Sequence, residues 1–320
     1  MFSKIYQEIV NHKRIVIIRH QAPDYDAYGS QVAMYLSIKN SFKDKEVLMD
    51  GDEPVSGSFP RKMDVVDKQF YKDALVIAVD TSAKEMLTND YYKYAHMVVV
   101  MDHHKNEPNL GDIILIRSDY SSAAELITDF LSTMNFVIDK ESATALYTGI
   151  VADSNRFLYS GTTDHTFKMA STLLELGADI KTSYKTLERE YKIEEKKMMG
   201  YVLSNFTIDK KVAYIYVDKS LRQSLNLPTY FVTRGCINLL SSIEGVEAFV
   251  VMAMSDEDLI YIEFRSKNKP VIEVAKKYNG GGHDLACGAK VDASYDIQEI
   301  IDSVNEAVLW RRSIKKSIRK

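Results

Sequence analysis

The sequence predicts a mainly parallel α/β domain followed by a smaller α+β domain, the two joined by a helical linker. Three observations carry this. Short, wholly apolar runs alternate with helical patterns through the first half. A charged helical stretch without a strand partner follows near residue 183. Beyond it, apolar runs return in close succession, two of them as a hairpin. The 320 residues are 46% hydrophobic and 27% charged, enough for a sizeable core and two domains.

In chain order, IVII (15–18), LVIAV (75–79), MVVVM (97–101) and IILI (113–116) read as buried strands. QVAMYLSIKNSF, AAELITDFLSTM and HTFKMASTLLEL read as amphipathic helices. Ser122 with Glu125 three residues on has the form of a capping box. Gly177 stands where a helix C-terminus favours glycine. ALYTGIVAD, ending at Asp153, is readable as helix or strand. From Ser183 to Phe206 the chain is charged and helical. VAYIYV (212–217), VEAFVVMAM (246–254) and LIYIEFRS (259–266) are strands of the second domain, the last two closing a hairpin around Ser255–Asp258. The expected boundaries are a first domain over 1–185, a linker over 186–209 and a second domain over 210–320.

Composition narrows the class. Cys236 and Cys287 make no disulfide framework and no CxxC pair, which points to a reducing, cytoplasmic setting. MFSKIYQEIV has no long apolar core and is no signal peptide, and no uncharged run approaches the roughly 20 residues of a membrane span. Residues 1–209 carry a balance of −7 and residues 210–320 one of +3, with six basic groups in the last ten residues, RRSIKKSIRK. These suit a solvated helix end better than a phosphate-attracting tail.

The chemistry gathers at the ends of the apolar runs. His20 follows the first, with Asp24 and Asp26 just beyond; Asp80 ends the second; Asp102 ends the third and leads into His103 and His104; Asp153 ends ALYTGIVAD. In an open parallel sheet the strand carboxyl ends line one edge, where ligands bind. A lone Asp at such an end is usually a turn or cap residue. So many carboxylates converging on one edge need cations to neutralise them. Mixed Asp and His donors suit Mn²⁺ or a similar divalent ion, and about seven donors suit two ions, an arrangement used for in-line attack on phosphorus.

Asp102-His103-His104, with HxxxDxDAxGS upstream (His20 to Ser30), resembles the DHH phosphoesterase superfamily. NGGGHDLACGA (279–289) resembles the Gly-rich motif of the DHH-associated C-terminal domain, and Asp153-Ser154-Asn155-Arg156-Phe157-Leu158 also fits. The likeness covers nearly the whole chain and is closest to the NrnA-type nanoRNases, with related enzymes that cleave linear di-adenylate (pApA). It implies one Mn²⁺ on His20, Asp24 and Asp80 and another on Asp26, Asp80, His103 and Asp153, with Asp80 bridging. It implies catalytic roles for Asp102, which fixes an imidazole, and for His104, which faces the phosphate. It further implies substrate contacts from Arg265, Ser266, Gly280, Gly281, Gly282, His283, Ser122 and Arg156, with Tyr278 as the aromatic to test for base stacking. The departures are Tyr25 between the loop aspartates, Ala152-Asp153-Ser154-Asn155 around the fourth acid, Asp284 after His283, and Cys287. None removes a ligand.

The implied activity is Mn²⁺-dependent hydrolysis of very short single-stranded RNA or dinucleotides such as pApA, and of 3′-phosphoadenosine 5′-phosphate to AMP, with no membrane partner and a homodimer as an open possibility. An inorganic pyrophosphatase and a non-catalytic nucleotide-binding protein remain alternatives. The Gly-rich motif argues against the first, and the intact acid and histidine set against the second.

Overall fold

The computed structural model describes residues 1–53, 61–81, 83–105, 109–188 and 190–309, so the basic segment 311–320 lies outside the described residues. The chain divides into two compact units, Met1–Arg189 and Glu190–Lys320.

The first unit is built on five parallel strands: β1 (Arg14–Ile18), β2 (Glu46–Met49), β3 (Leu75–Val79), β4 (Met97–Asp102) and β5 (Ile113–Ile116), in the order β2-β1-β3-β4-β5. β1, β3 and β4 are buried on both faces, which is why they read as unbroken apolar runs. Its helices are α1 (Phe2–Asn11), α2 (Tyr25–Ser41), the single turn α3 (Lys68–Tyr71), α4 (Ala123–Thr133), α5 (Lys140–Asp153), α6 (Asp164–Glu175) and α7 (Ile180–Leu187). On one face Ile15, Ile17, Ile77 and Val99 pack with α1, α2, α4 and α5. On the other, Val16, Val76, Ala78 and Val100 are covered by Tyr71, Leu87 and Leu110 from short turns and loops.

ALYTGIVAD is helix, the C-terminal part of α5. It is buried nearly all round and therefore shows no amphipathic period. α2 and α5 cross closely because of two glycines. A Cβ on Gly29 would come within 2.5 Å of Ala145 O, and one on Gly149 within 2.8 Å of Ala124 Cβ and 3.0 Å of Asp26 Oδ1. Gly177 does end α6, at φ +92°. Ser122 caps α4, accepting from Glu125 N–H at 3.0 Å, but the Glu125 carboxylate bonds Ser121 rather than Ser122, so only half of the expected box forms.

The second unit holds α8 (Ile193–Asn205), β6 (Thr207–Asp209), β7 (Val212–Val217), α9 (Lys219–Ser224), β8 (Ala248–Met254), β9 (Leu259–Ser266), α10 (Ile272–Lys277), β10 (Gly281–His283), β11 (Ala286–Asp292) and α11 (Ile297–Leu309). The sheet runs β10-β11-β9-β8-β7-β6, antiparallel except for β7 with β8. The linker expected over 186–209 takes a different form. α7 ends at Leu187 within the first unit, whereas α8 buries Met198 and Val202 in the second unit's core beside Val217 and Val251.

Candidate active site

The parallel sheet presents its strand carboxyl ends to one edge, and two helix ends meet them there. His20 follows β1; its Nδ1 donates to Gln21 O at 2.8 Å, which leaves Nε2 for a ligand. Asp24 caps α2, accepting at Oδ1 from the N–H groups of Asp26 and Ala27, both at 3.0 Å. Asp26, in the first turn of α2, is fully buried and accepts from the N–H groups of Ala123 and Ala124 at 2.7 and 2.8 Å. The positive N-terminus of α4 thus holds one carboxylate in place. Asp80 follows β3 with φ +48°, a left-handed conformation that a non-glycine residue keeps only where its surroundings fix it. Its N–H is tied to Met101 O at 3.0 Å. Asp102 ends β4, and Asp153 ends α5, so the fourth acid comes from a helix rather than a strand.

Two sets of donors form around Asp80. His20 Nε2 lies 3.6 Å from Asp80 Oδ2 and 4.0 Å from Asp24 Oδ1. His103 Nε2 lies 3.6 Å from Asp80 Oδ1, 3.5 Å from Asp153 Oδ2 and 3.9 Å from Asp26 Oδ2. These separations are too long for hydrogen bonds. They suit donors sharing an ion, and Asp80 Oδ1 is buried without any hydrogen-bond partner. Burial first, then repulsion from Asp80, Asp153 and Asp24, pushes the Asp26 carboxyl well above the ordinary range. Burial, with repulsion from Asp80 and Asp24, pushes Asp153 up to about 6. The neighbouring Asp80 carboxylate raises His20. Carboxylates in that state fit a divalent cation, which supplies the missing counter-charge.

Asp102 serves the two histidines. Its Oδ1 accepts from His103 N–H at 2.7 Å and His104 Nδ1 at 2.8 Å. Burial opposes its ionisation, but the His104 bond and charge outweigh it and hold Asp102 below the ordinary range. The same bond lifts His104 to about 9 and keeps it cationic near neutral pH. Asp102 Oδ2 is buried and without a partner, and it lies within reach of the same donor set.

Three expected substrate contacts are used elsewhere. Ser122 is fully buried, its hydroxyl spent on capping α4. Ser266 is nearly buried and its hydroxyl donates to Lys269 O. Tyr278 is a core residue, 2% exposed, with its hydroxyl against Ser303 Oγ at 3.0 Å; it offers no ring for base stacking. Arg156 is exposed, within Asn155-Arg156-Phe157, three successive residues at positive φ just beyond Asp153. In the second unit the Gly-rich segment is a strand rather than a turn: Gly281, Gly282 and His283 pair with Gly288, Cys287 and Ala286, and all three are exposed. Gly280 precedes them, in close contact with Gly288 and Ala289. Arg265 Nη1 donates to Glu263 Oε2 at 2.9 Å and to Phe264 O at 2.8 Å. Burial pushes the Cys287 thiol up to about 11, so it is no nucleophile.

One contributor escaped the sequence, and another does more than its capping-box reading implied. Glu125, fully buried, accepts from Ser121 N–H and Oγ, His165 Nδ1 and Thr166 Oγ1, and so fixes the loop entering α4. Arg234 donates from Nε to Glu263 Oε1 at 2.5 Å. Arg234 sits in no motif and its partner is 29 residues away; for Glu125, the partners His165 and Thr166 are distant in the chain.

Residues 14–150 match the DHH family, N-terminal domain, and residues 209–309 match the DHHA1 domain. Fold and site therefore define a metal-dependent phosphoesterase of the DHH class. A Streptococcus mutans protein named probable bifunctional oligoribonuclease and PAP phosphatase NrnA is 34% identical, over 95% of this chain and 97% of its own. A Bacillus subtilis bifunctional oligoribonuclease and PAP phosphatase NrnA is 30% identical, over 91% and 93%. An exopolyphosphatase-related protein from Bacteroides fragilis shares the fold, with a TM-score of 0.74 and 24% identity over 96% of this chain and 95% of that one. The chain belongs to the NrnA family of DHH proteins. Among the described residues, no helix is long and apolar enough to cross a membrane.

Proposed function

We propose that the protein hydrolyses very short oligoribonucleotides, pApA among them, to mononucleotides, and 3′-phosphoadenosine 5′-phosphate to AMP, using two Mn²⁺ ions. The observation that carries this is Asp80, whose two oxygens face two histidines belonging to separate donor sets. His20, Asp24 and Asp80 would hold one ion, and Asp26, Asp80, His103 and Asp153 the other. When bound, the ions would lower the pKa of water near the phosphate and neutralise charge on it. The carboxylate-rich, thiolate-free donor set, four aspartates and two histidines, suits Mn²⁺.

The chain's own residues do the rest. Asp102 holds His104 cationic and takes its Nδ1, so Nε2 is the nitrogen left to stabilise charge on the phosphate or protonate the departing oxygen. Arg265 and His283 would hold the nucleotide through their side chains, and Gly280, Gly281 and Gly282, without side chains, would let it approach the backbone closely. Arg156 is the first unit's exposed cation nearest in sequence to Asp153. The names of the Streptococcus and Bacillus relatives support the substrate class. Cys236 and Cys287 form no disulfide, which supports a cytoplasmic setting. A homodimer belongs to this reading, and sedimentation of the metal-loaded protein checks it.

The deciding experiment offers the purified protein, with Mn²⁺, labelled di- to pentanucleotides, a long RNA, pApA, 3′-phosphoadenosine 5′-phosphate and pyrophosphate. Turnover of the short nucleotides and of 3′-phosphoadenosine 5′-phosphate is expected. Turnover of pyrophosphate alone would replace this reading with a pyrophosphatase.

A further inference from the structure

The second unit's sheet has one fully covered face. There Val250, Met252, Ile262 and Phe264 pack with Ile272, Ile300 and Val304 of α10 and α11. On the opposite face Phe249, Val251 and Ala253 are covered by Phe231, Val232 and Leu240. That cover ends at β8. Phe249, Val251 and Ala253 pair with Arg265, Glu263 and Tyr261 of β9, which pair in turn with Ala286, Gly288 and Lys290 of β11. Gly281 and His283 of β10 stand opposite Gly288 and Ala286. Residues directly paired across strands project to the same side. The uncovered half of this face therefore carries Tyr261, Glu263, Arg265, Lys290 and His283, and between them only small residues.

That composition makes a hollow. A Cβ added to Gly281 would meet nothing within 4 Å. A concavity of about 270 Å³ lies there, lined by Arg234, Tyr261, Glu263, Gly280, Gly281 and Lys290. Arg234 belongs to a π-helical turn, Phe231–Gly235, at the edge of the covering segment. Its side chain is 56% exposed, and its guanidinium stands 5.5 Å from the centre of the Tyr230 ring. Glu263, 9% exposed, spaces two guanidiniums: Oε1 takes Arg234 Nε at 2.5 Å and Oε2 takes Arg265 Nη1 at 2.9 Å. Arg234 and Arg265 hold this one carboxylate and Lys290 lines the same hollow, an excess of two positive charges on a concave surface. Along β9 the four-residue step from Arg265 to Tyr261, which pairs with Lys290, spans about 13 Å. Successive phosphates of one nucleotide stand closer together than that; the two guanidiniums, held on opposite oxygens of one carboxylate, are spaced to meet them, and the flexible Lys290 stem can reach inward.

We propose that this face is a two-phosphate strip. Arg265 and His283 take one phosphate; Arg234 and Lys290 take a second. The ligand class is a nucleotide with two separated phosphate groups, such as a 5′-phosphorylated dinucleotide or a nucleoside 3′,5′-bisphosphate. The Tyr261 ring, 38% exposed, lies beside the second position as an apolar contact for sugar or base. The strip rests on the nucleotide-hydrolase reading for the identity of its ligand, and Arg234 and Lys290 add to it a preference for the doubly phosphorylated form.

The test compares full-chain wild type with Arg234→Gln and Lys290→Gln. Lys290→Gln leaves the Glu263 pairs in place and so controls for disturbance of Arg265. Binding of adenosine 3′,5′-bisphosphate and of AMP is measured calorimetrically in chelator, where nothing turns over. The Mn²⁺-loaded proteins then give KM and kcat for one dinucleotide with and without a 5′-phosphate. Each variant is expected to lose about tenfold or more in bisphosphate affinity, with AMP changed less than twofold. The rise in KM should be confined to the 5′-phosphorylated dinucleotide, with kcat retained. Equal losses for both ligands, or none for either, overturn the strip. If wild type turns over the dinucleotide and the variants show no difference between ligands, the strip alone falls. If wild type turns over no nucleotide yet the selective loss of bisphosphate affinity appears, the strip stands and the hydrolase reading falls.

Discussion

Asp80 Oδ1 lies 3.6 Å from His103 Nε2, buried and without a hydrogen-bond partner of its own. Its other oxygen is equally far from His20 Nε2. One carboxylate thus belongs to both donor sets. Asp80→Ala is expected to abolish turnover and lower bound Mn²⁺ while leaving the fold intact. The loss should exceed about a hundredfold, the upper range for losing even an outer-shell partner of a metal ligand. Metal analysis and circular dichroism on the same preparation read both quantities. Wild-type turnover in this variant would sink the dinuclear arrangement.

The raised carboxyls tie metal binding to pH. Asp26 and Asp153 hold protons in the metal-free fold to higher pH than in the unfolded chain. Their contribution to metal-free stability is therefore greatest in acid and is lost as pH rises through their folded values, about 6 for Asp153. A cation must displace those protons. The increase in thermal midpoint on adding Mn²⁺ should be small at pH 5 and grow toward pH 8. Paired melts with and without Mn²⁺ across that range make the measurement. An increment independent of pH contradicts the ligand roles of both acids.

Gly29 and Gly149 set the distance between α2 and α5. A mid-helix Gly→Ala change ordinarily gains about 1 kcal/mol. Here the new Cβ of Gly29→Ala would lie 2.5 Å from a backbone carbonyl, which cannot swing aside as a side chain can. Overpacking of this kind costs about 1–3 kcal/mol, so the net effect should be destabilising. Because Asp26 lies on α2 beside Gly149, metal affinity should fall as well. Urea melts with and without Mn²⁺ separate the two effects. A stabilised Gly29→Ala protein would show that the helices can part freely.

Arg265→Ala and His283→Ala should lower nucleotide turnover without changing metal content, because neither residue belongs to the donor sets around Asp80. Losing a charge-assisted phosphate contact costs about 1.5–3 kcal/mol, or roughly ten- to a hundredfold. Glu263 remains paired through Arg234 in the Arg265 variant, so the fold should hold. Loss of Mn²⁺ from either variant would overturn the division of labour.

What could be read ahead of the structure followed burial. β1, β3 and β4 are buried on both faces, and unbroken apolar runs announce them. β2 is only four residues, EVLM, with alternate burial beside charged neighbours, and gave no comparable run. α8 looked like a linker because Glu194, Glu195, Lys196 and Lys197 obscure its narrow Met198–Val202 stripe. The histidines and acids were legible because each ends or follows an apolar run, and a parallel sheet gathers such positions at one edge. Tyr278 was misread because an aromatic before a Gly-rich motif looks available, whereas α11 buries it. Arg234 was invisible: its partner Glu263 stands 29 residues away, and only sheet pairing and the turn over β8 bring them together.

The last expectation concerns substrate length. Long single strands are held by basic tracks that follow the backbone, typically about 4 or more nucleotides per binding module. Residues 1–209, which include every donor around Asp80, carry a balance of −7, so they offer no such track. Among the described residues, those lining the hollow beside the Gly-rich strand include two cations, Arg234 and Lys290, and one carboxylate, Glu263, which also holds Arg265. That is enough for one or two phosphates and too little to follow a polymer. On RNAs sharing one end sequence, the rate should fall steeply beyond about five nucleotides. The measurement is a competition between a dinucleotide and a 24-mer, at equal concentrations of ends and fixed salt. A short-substrate enzyme favours the dinucleotide by at least about tenfold in kcat/KM, with a shallow dependence on salt. Equal values for the two, or a steep loss with salt on the 24-mer, would mean that the chain engages a long phosphate backbone, and the assignment would move to a general exonuclease.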